Sequence, residues 1–447
     1  MTFGFDSFKI TGENALQQHE NIIVQGFLSK ESKKNAAIRR SLPKMKDLSS
    51  LEIKVPNINP ELILSVLKII SDKVCMDSLK HFGLYIRDQY GYNQTKPVRT
   101  NGALSFITQH FGDLLDISIN FAKHRELWDP SHLANFGKFL KLKRMTLVVS
   151  AHSFGTKDEF FKHFSMPPAL ERLDLTLQDF GWDETSEKSF ENDPLYTGFF
   201  ARIQRDGQKL RILSLEIHPF WRSGFIKGKF SGFLKPSAHF ARLLILRFTQ
   251  LEQLSYKYHG TTDIDEENGL EIEQFWRALV PSKETLQSVY IFSPPMTFPE
   301  NVNAFEFRFP RLQKLEISGY MLPLTVLGAF CRGFSSLENI RFEAVYFFEE
   351  KELECFLASW LFVPQKMSFE AKLYFSNKIF KESLIGCLMK FVSEAKILGK
   401  FKIKVYMSKR RDLLQGLFEL IERKKDEKLF ADYDDSWLSL SWKTSSD

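Results

Sequence analysis

Cysteine is scarce in this sequence, with four residues among 447: Cys75, Cys331, Cys355 and Cys387. No two of them form a Cys-x-x-Cys pair, and each lies in an apolar stretch. The spacing excludes the ligand pattern of a structural zinc site and the closely spaced cysteines of a disulfide framework. We therefore expect free, buried thiols in a reducing compartment.

Long hydrophobic runs are also missing. The first fourteen residues have neither the basic start nor the continuous apolar stretch of a secretory signal peptide. No window approaches the roughly 18 consecutive apolar residues that a membrane-spanning helix needs. Together these absences predict an intracellular protein, cytoplasmic or nuclear, without a membrane segment.

Motifs of catalysis and cofactor binding are lacking as well. The chain has no phosphate-binding loop, no dinucleotide fingerprint and no nucleophile elbow, and its ten histidines are scattered. The acidic segment that begins at Asp263 resembles a calcium loop only in part. Asn268 stands where such a loop needs Gly, and Gln274 stands where it needs Glu. We predict a protein that is not an enzyme and has no catalytic residues, no cofactor and no metal.

Charge of one sign is not in large excess. The chain has 61 Lys and Arg against 55 Asp and Glu, a formal net charge of +6, which does not by itself predict nucleic-acid binding. Phenylalanine, by contrast, is abundant at 44 residues, and the apolar fraction is 43%. This composition predicts a folded chain with a well-filled aromatic core.

A six-residue pattern, L-x-x-L-x-L with other apolar residues as substitutes, recurs along the chain. Clear copies are Leu170–Leu175, Leu210–Leu215 and Leu312–Ile317. The mean spacing is about 32 residues. Twelve copies start at residues 48, 79, 114, 142, 170, 210, 251, 286, 312, 337, 364 and 398.

Each copy predicts a short strand with one buried face, because apolar residues alternate with polar ones. Apolar residues at helical spacing follow many of the strands. Asn59-Pro60 and Asp129-Pro130 read as helix N-caps followed by proline at the first helical position. The predicted helices are 61–71, 131–140, 273–280, 351–361 and 380–397. No such unit buries its apolar face alone, so neighbours are expected to stack into a parallel sheet backed by helices.

This pattern resembles the leucine-rich-repeat family, in its irregular ribonuclease-inhibitor-like or F-box-associated type. The resemblance implies an α/β solenoid of about 12–14 repeats, with a curved parallel sheet and helices on its convex side. Repeat lengths depart from the family, from 25 residues (312 to 337) to 41 (210 to 251), against about 20–29. Gln178, His218 and Gly260 stand where the family often has Asn or Cys, and no F-box is recognisable. A (β/α)8 barrel is the alternative, but twelve units exceed its eight.

Three regions follow from this pattern. Residues 1–47 are predicted to form an N-terminal strand at 5–10 and a helix at 13–40 that cap the array. Residues 48–405 form the solenoid. Residues 406–447 form a C-terminal helix at about 411–424 and a capping edge strand at 437–442.

The positions between and after the strand leucines are expected on the concave face of the sheet. Tyr290 and Phe292 are aromatic where most other copies are polar. Either the proline-containing loop 293–303 covers them, or they form a partner-binding hot spot. The predicted partner-binding residues are Lys257, Tyr290, Phe292, Arg341, Lys400, Lys402 and Lys404.

The three C-terminal lysines belong to a basic segment. Residues 398–428 contain ten Lys or Arg and five Asp or Glu, and Lys400, Lys402 and Lys404 alternate with apolar residues. Alternation places three like charges on one face of a strand. This face is either a solvated end of the array or a docking site for an acidic protein segment or a phosphate strand.

The mixed polar character of the concave face favours a protein partner over nucleic acid. We expect a non-enzymatic protein-interaction scaffold, or a subunit of a larger assembly, that binds through this face and the basic C-terminal end. The resemblance also leaves open a ubiquitin-ligase substrate receptor without a recognisable F-box. A subunit associated with RNA or DNA is a further alternative.

Overall fold

The structure is a computed structural model, and the chain in it divides into two compact units. Unit 1 comprises residues 1–225 and 247–249, and unit 2 comprises residues 226–246 and 250–447. The described residues are 2–5, 8–11, 21–26, 49–55, 64, 67, 68, 71, 79–86, 103–121, 129–151, 153, 154, 156–180, 182, 190–218, 234–259, 270–292, 296, 297, 308–318, 336–347, 368–375, 401–406, 415, 418, 419, 422, 429–433 and 437–442.

Unit 1 contains a mostly parallel sheet. Its strands are β1 (Thr2–Phe5), β2 (Phe8–Thr11), β3 (Asn21–Gly26), β4 (Ser50–Val55), β5 (His81–Ile86), β6 (Asp116–Asn120), β7 (Arg144–Ser150), β8 (Arg172–Gln178) and β9 (Ile212–His218). Each strand from β3 to β8 pairs in parallel with the next in chain order. The first three strands pair antiparallel, β1 with β2 and β2 with β3.

The helices of unit 1 are α1 (Ala103–His110), a 3-10 helix (Pro130–Lys138), α2 (Lys157–His163) and α3 (Pro194–Asp206). Consecutive helices pack against one another, α1 on the 3-10 helix, the 3-10 helix on α2, and α2 on α3. The caps explain two of the starting points. Asp129 accepts a hydrogen bond from the Ser131 amide at 3.0 Å, and Asp193 accepts one from the Leu195 amide at 2.8 Å. In both cases proline occupies the first helical position.

Unit 2 repeats the design. Its strands are β10 (Gln253–Tyr258), β11 (Leu270–Glu271), β12 (Ser288–Phe292), β13 (Met296–Thr297), β14 (Lys314–Ser318), β15 (Asn339–Phe347), β16 (Ser368–Phe375), β17 (Phe401–Tyr406), β18 (Leu429–Tyr433) and β19 (Trp437–Trp442). The helices are α4 (Leu234–Ile245), α5 (Ile272–Leu279) and a 3-10 turn (Val280–Ser282). Strands β10, β12, β14, β15, β16 and β17 are parallel, and β19 lies antiparallel between β17 and β18.

All twelve predicted strand positions are strands, so the α/β class with a parallel sheet and helices is confirmed. Seven parallel strands in unit 1 and six in unit 2 together exceed the eight of a (β/α)8 barrel. Among the described residues, no helix combines the length and apolar character needed to cross a bilayer.

Eight of the described parallel strands begin with the same pair of hydrogen bonds. In β7, the amides of Lys143 and Arg144 both donate to the carbonyl of Leu115, at 2.9 and 3.0 Å. Equivalent pairs of amides donate to the carbonyls of residues 49, 80, 143 and 171 in unit 1, and of residues 252, 287 and 313 in unit 2. One backbone geometry thus recurs at every one of these steps, although the number of residues between steps varies.

The core lies between the sheet and the helices. The second, fourth and sixth residues of β9, which are Leu213, Leu215 and Ile217, are each fully buried. Burial of one such side chain stabilises the fold by about 1.5–3 kcal/mol. The helices contribute phenylalanines, and the rings of Phe160 and Phe164 stack with centroids 5.1 Å apart. The abundance of phenylalanine is therefore explained in part by this aromatic layer.

Two sequence predictions differ from the structure. The stretch 13–40 was expected to be helical, but Asn21–Gly26 forms β3. Its run of Ile22, Ile23 and Val24 is β-branched, and such residues favour a strand. The segment 437–442 was expected at the edge of the sheet, but β18 takes that place and β19 lies inside it.

Several predicted features lie outside the described residues. They are the helices at 351–361 and 380–397, the Asn59-Pro60 cap, the acidic segment at 263–269 and the four cysteines. The helix predicted at 273–280 is α5, and the one predicted at 131–140 is the 3-10 helix Pro130–Lys138.

Candidate interaction surface

The parallel register of unit 2 aligns three of the seven predicted binding residues, Tyr290, Arg341 and Lys402, in one row across the sheet. Each residue pairs with its neighbour on the next strand. We call this alignment the central row. It consists of Ser255, Tyr290, Glu316, Arg341, Glu370 and Lys402.

Alternation along β10, β12, β14 and β15 holds the outward residues of these four strands away from the core. Val289 and Ile291, on either side of Tyr290, are fully buried, and the same pattern flanks Glu316 and Arg341. Tyr290 and Phe292 are partly exposed. The sheet therefore has one face turned to the core, and an opposite face on which the central row lies.

Lys257 and Tyr290 are in contact. The Lys257 Nζ lies 5.8 Å from the centroid of the Tyr290 ring, within the range of a cation–π interaction. Because both side chains are partly exposed, the contact stabilises by about 0.5–1 kcal/mol. Two residues predicted separately as partner-binding are thus one feature of this surface.

Phe292 continues the aromatic surface. Its ring lies 5.3 Å from that of His259, at an interplanar angle of 38°. In register, Phe292 pairs with Lys257 on one side and Ser318 on the other. Of the loop 293–303 that was considered as a cover, only Met296–Thr297 is described, and it forms β13, which pairs with β11.

Arg341 is surrounded by charge of both signs. Its guanidinium lies 3.5 Å from a carboxylate oxygen of Glu316 and 3.7 Å from one of Glu370. The Lys314 Nζ lies 3.7 Å from the other carboxylate oxygen of Glu316. The four side chains form a network of zero net charge, so Arg341 is not a lone cation awaiting an acidic partner. We call these four residues the charge network.

Only Arg341 of this network was among the predicted partner-binding residues, and Glu316 is the member that links it to Lys314. The Glu316 side chain is only 14% exposed, the least of the three ion-paired residues Glu316, Arg341 and Glu370. The repeats themselves carried the signal: aligning the copies that start at 312 and 337 pairs Glu316 with Arg341. Opposite charges at aligned positions of neighbouring strands predict an ion pair.

The C-terminal lysines are placed by their backbone. Lys402 of β17 pairs in register with Glu370 of β16, and Lys404 pairs with Lys372. On its other side β17 is covered by β19, which aligns Ser441 with Lys402. Strand β17 is therefore not a free edge. Lys400 lies outside the described residues.

The corresponding face of unit 1 is made of small polar side chains. Ser118, Thr146, Asp174 and Ser214 align across β6 to β9, and all are partly exposed. Asp174 accepts hydrogen bonds from Thr146 at 3.4 Å and from Arg172 at 2.8 Å. This face lacks the aromatic side chains of unit 2 among its described residues from β6 to β9.

Comparison with known proteins adds no family. No protein-family model matches the chain, and no curated protein matches it.

Proposed function

We propose that the chain is an irregular leucine-rich-repeat solenoid that binds a protein partner, as a non-enzymatic scaffold or a subunit of a larger assembly. The recurring pair of leading hydrogen bonds supports the repeat, because it marks the same step in units of different length. The sequence copies of L-x-x-L-x-L support the family, because all twelve coincide with strands. The four widely spaced cysteines favour a reducing, intracellular setting.

One observation carries the binding surface. Tyr290 and Phe292 lie two residues apart on the outward face of β12, and Lys257 reaches the Tyr290 ring from β10. Aromatic side chains held on a regular strand lose little conformational freedom on binding, and they bury a large area. We infer that these three residues form the main partner contact.

The chemistry of the partner follows from the charges. The charge network neutralises itself, so it offers hydrogen bonds without a net attraction. Beyond this network, Lys257 carries positive charge on this surface, and Lys402 continues the central row in backbone register. The inferred partner has an apolar patch to cover the aromatic pair and acidic groups near Lys257.

The experiment compares the wild-type chain with a Tyr290→Ser, Phe292→Ser double variant. Partners are recovered by affinity purification from cell lysate and identified by mass spectrometry, and the recovered partner is then purified for a direct affinity measurement. We expect the double variant to lose about 2 kcal/mol or more of binding free energy, which is about thirtyfold in Kd. Tyr85→Ser is the matched control, since Tyr85 is a partly exposed tyrosine on β5 of unit 1.

Thermal melting separates binding from folding. Partly exposed side chains that contact a partner leave the melting temperature nearly unchanged when replaced. A large fall in melting temperature would show that the aromatic pair serves the fold, and equal partner recovery by all three proteins would refute the proposed surface. Recovery of a ligase adaptor among the partners would favour the ubiquitin-ligase alternative.

A second variant addresses the lysines of β17. Changing Lys400, Lys402 and Lys404 together to Ser is expected to weaken association with the same partner and to flatten its dependence on salt. An unchanged salt dependence would limit the contact to the aromatic pair and Lys257.

A further inference from the structure

Leu140 is held in solvent on unit 1. Its side chain is 69% exposed, against 39% for Leu246 and 40% for Val280, the other exposed large apolar residues of the described chain. Buried neighbours hold the backbone on both sides of Leu140. Phe139 is buried, and the Phe139 amide donates to the Phe136 carbonyl at 3.1 Å. Leu142, on the other side, is also buried. The leucine is thus presented on a fixed support and leaves apolar surface hydrated.

Basic side chains flank this leucine along the chain, and others lie two strands away in the same sheet. Lys138, Lys141, Lys143 and Arg144 lie on the segment that leads into β7, and Lys209 and Arg211 lie on the one that leads into β9. All six are exposed. Backbone hydrogen bonds run from Arg211 to Glu171 and from Glu171 to Lys143, so the segment that leads into β8 lies between these two and all three follow one edge of the sheet. We call the six bases and Leu140 the basic edge.

Carboxylates neutralise only part of this charge. Asp113 pairs with Lys141 at 2.8 Å, Glu171 with Lys143 at 3.1 Å, and Asp116 with Arg144 at 3.1 Å. Leaving Arg211 aside, the other five bases against these three acids leave a local charge of +2. In each pair the basic side chain is more than half exposed, and such ion pairs contribute little because water screens them. The bases can therefore exchange these partners for a ligand at small cost.

The pattern of the edge selects among anionic ligands. A nucleic-acid strand carries an uninterrupted row of phosphates, which the three interspersed carboxylates would repel, and its backbone offers no apolar group for Leu140. An acidic polypeptide can place its carboxylates opposite the bases and an apolar side chain on Leu140. We propose that the basic edge of unit 1 docks an acidic polypeptide segment that carries an apolar residue, with Leu140 as the apolar contact.

This docking site goes beyond the proposed function. It lies in unit 1, whereas the aromatic pair lies in unit 2, and it uses none of the residues assigned above. Binding at either surface can therefore be lost without loss at the other.

The test uses a short fluorescein-labelled peptide of Asp and Glu residues around one central Leu, with fluorescence anisotropy against the full chain. Two reference probes are the same peptide with Ser for its Leu, and a single-stranded oligothymidylate of equal charge. We expect the Leu peptide to bind most tightly, and its affinity to fall as salt rises toward about 0.15 M.

Two variants locate the site. Leu140→Ser is expected to weaken binding of the peptide about tenfold or more, because the contact made by one leucine side chain is lost. The double variant Lys138→Glu, Lys209→Glu is expected to reduce binding further and to flatten the salt dependence. Neither of these two lysines takes part in an ion pair between described residues, so the fold keeps its own pairs.

Matched controls are Val280→Ser, an exposed apolar residue without this basic surrounding, and Lys283→Glu, an exposed lysine of unit 2. Both are expected to bind the peptide as the wild type does. The proposal is overturned by absence of binding at low salt, by equal affinity of wild type and Leu140→Ser, or by an oligothymidylate that binds more tightly than the peptide. Unchanged melting temperatures establish that every variant is folded.

Discussion

Gly207 provides a sharp test of how unit 1 is packed. It ends α3, is buried, and its amide donates to the carbonyl of Ile203 at 2.8 Å. A Cβ at this position would lie 2.6 Å from that carbonyl oxygen, 2.7 Å from a ring carbon of Phe248 and 2.8 Å from the terminal methyl of Met166. Change to alanine therefore forces atoms of the core or the last helical turn to move.

The size of the stability loss depends on which of these atoms can move. The carbonyl oxygen of Ile203 belongs to the helix backbone, and Phe248 and Met166 are fully packed side chains. Overpacking of this kind costs about 1–3 kcal/mol. Removing a glycine from the unfolded chain offsets about 0.5–1 kcal/mol of that cost. We expect Gly207→Ala to lower the free energy of unfolding by about 1–2 kcal/mol.

Gly198 supplies an internal control in the same helix. A Cβ there would meet only the guanidinium of Arg202, at 3.7 Å, which is ordinary contact. Alanine is favoured over glycine in a helix interior by about 0.5–1 kcal/mol. Gly198→Ala is therefore expected to stabilise the protein, with a sign opposite to that of Gly207→Ala.

Urea unfolding followed by circular dichroism measures both variants beside the wild type. Hydrogen exchange of the α3 amides adds a local readout, because it reports stability in this helix directly. The reasoning is refuted if Gly207→Ala is as stable as the wild type, or if Gly198→Ala is less stable.

Two further predictions concern a cap and a buried phenol. Asp193→Ala removes the acceptor for the Leu195 amide and is expected to lower the free energy of unfolding by about 1 kcal/mol, with rescue by Asp193→Asn or Asp193→Ser, in chemical denaturation. Tyr256 is fully buried, and its hydroxyl has no hydrogen-bond partner among the described residues. Tyr256→Phe is therefore expected to leave the free energy of unfolding unchanged or to raise it by about 1 kcal/mol. A loss of more than about 1 kcal/mol would reveal a partner for the hydroxyl. Burial also raises the pKa of Tyr256 and of Tyr258 in the folded state, so their phenols stay neutral where those of the unfolded chain ionise. Stability should therefore fall as pH rises above about 10, and fall less steeply in Tyr256→Phe, as alkaline unfolding curves can show.

The repeat made the sheet predictable. Each L-x-x-L-x-L sets which residues of a strand are buried, and equivalent positions of successive copies become neighbours in a parallel sheet. Register then follows from alignment of the copies, as the pairing of Tyr290 with Glu316 and of Glu316 with Arg341 shows. Two helix starts were also readable from the sequence. Asp129-Pro130 predicted the start of the 3-10 helix, and α3 begins with the same aspartate and proline pair at Asp193-Pro194.

Other features depend on contacts that the pattern does not contain. The register of β15 and β16 shifts between Phe342 and Val345, which repeat spacing does not reveal. Strand β3 was missed because apolar residues in 13–40 also fit a helical period, and β-branching at Ile22 to Val24 decides the matter locally. Exposure of Leu140 depends on how the segment between the 3-10 helix and β7 runs, because the sequence places it among apolar residues that are buried.

The distribution of ion pairs separates the two proposed surfaces by their response to salt. On unit 2 the charge network is neutral, so the aromatic pair dominates the inferred contact and salt weakens it little, apart from the lysines of β17. On unit 1 the basic edge, Arg211 left aside, keeps a local charge of +2 after its three ion pairs, so long-range attraction forms a large part of its inferred affinity. A partner that uses both surfaces should lose its unit 1 contact first as salt rises. The affinity of Leu140→Ser and wild type should then converge at high salt, whereas the effect of Tyr290→Ser with Phe292→Ser should persist.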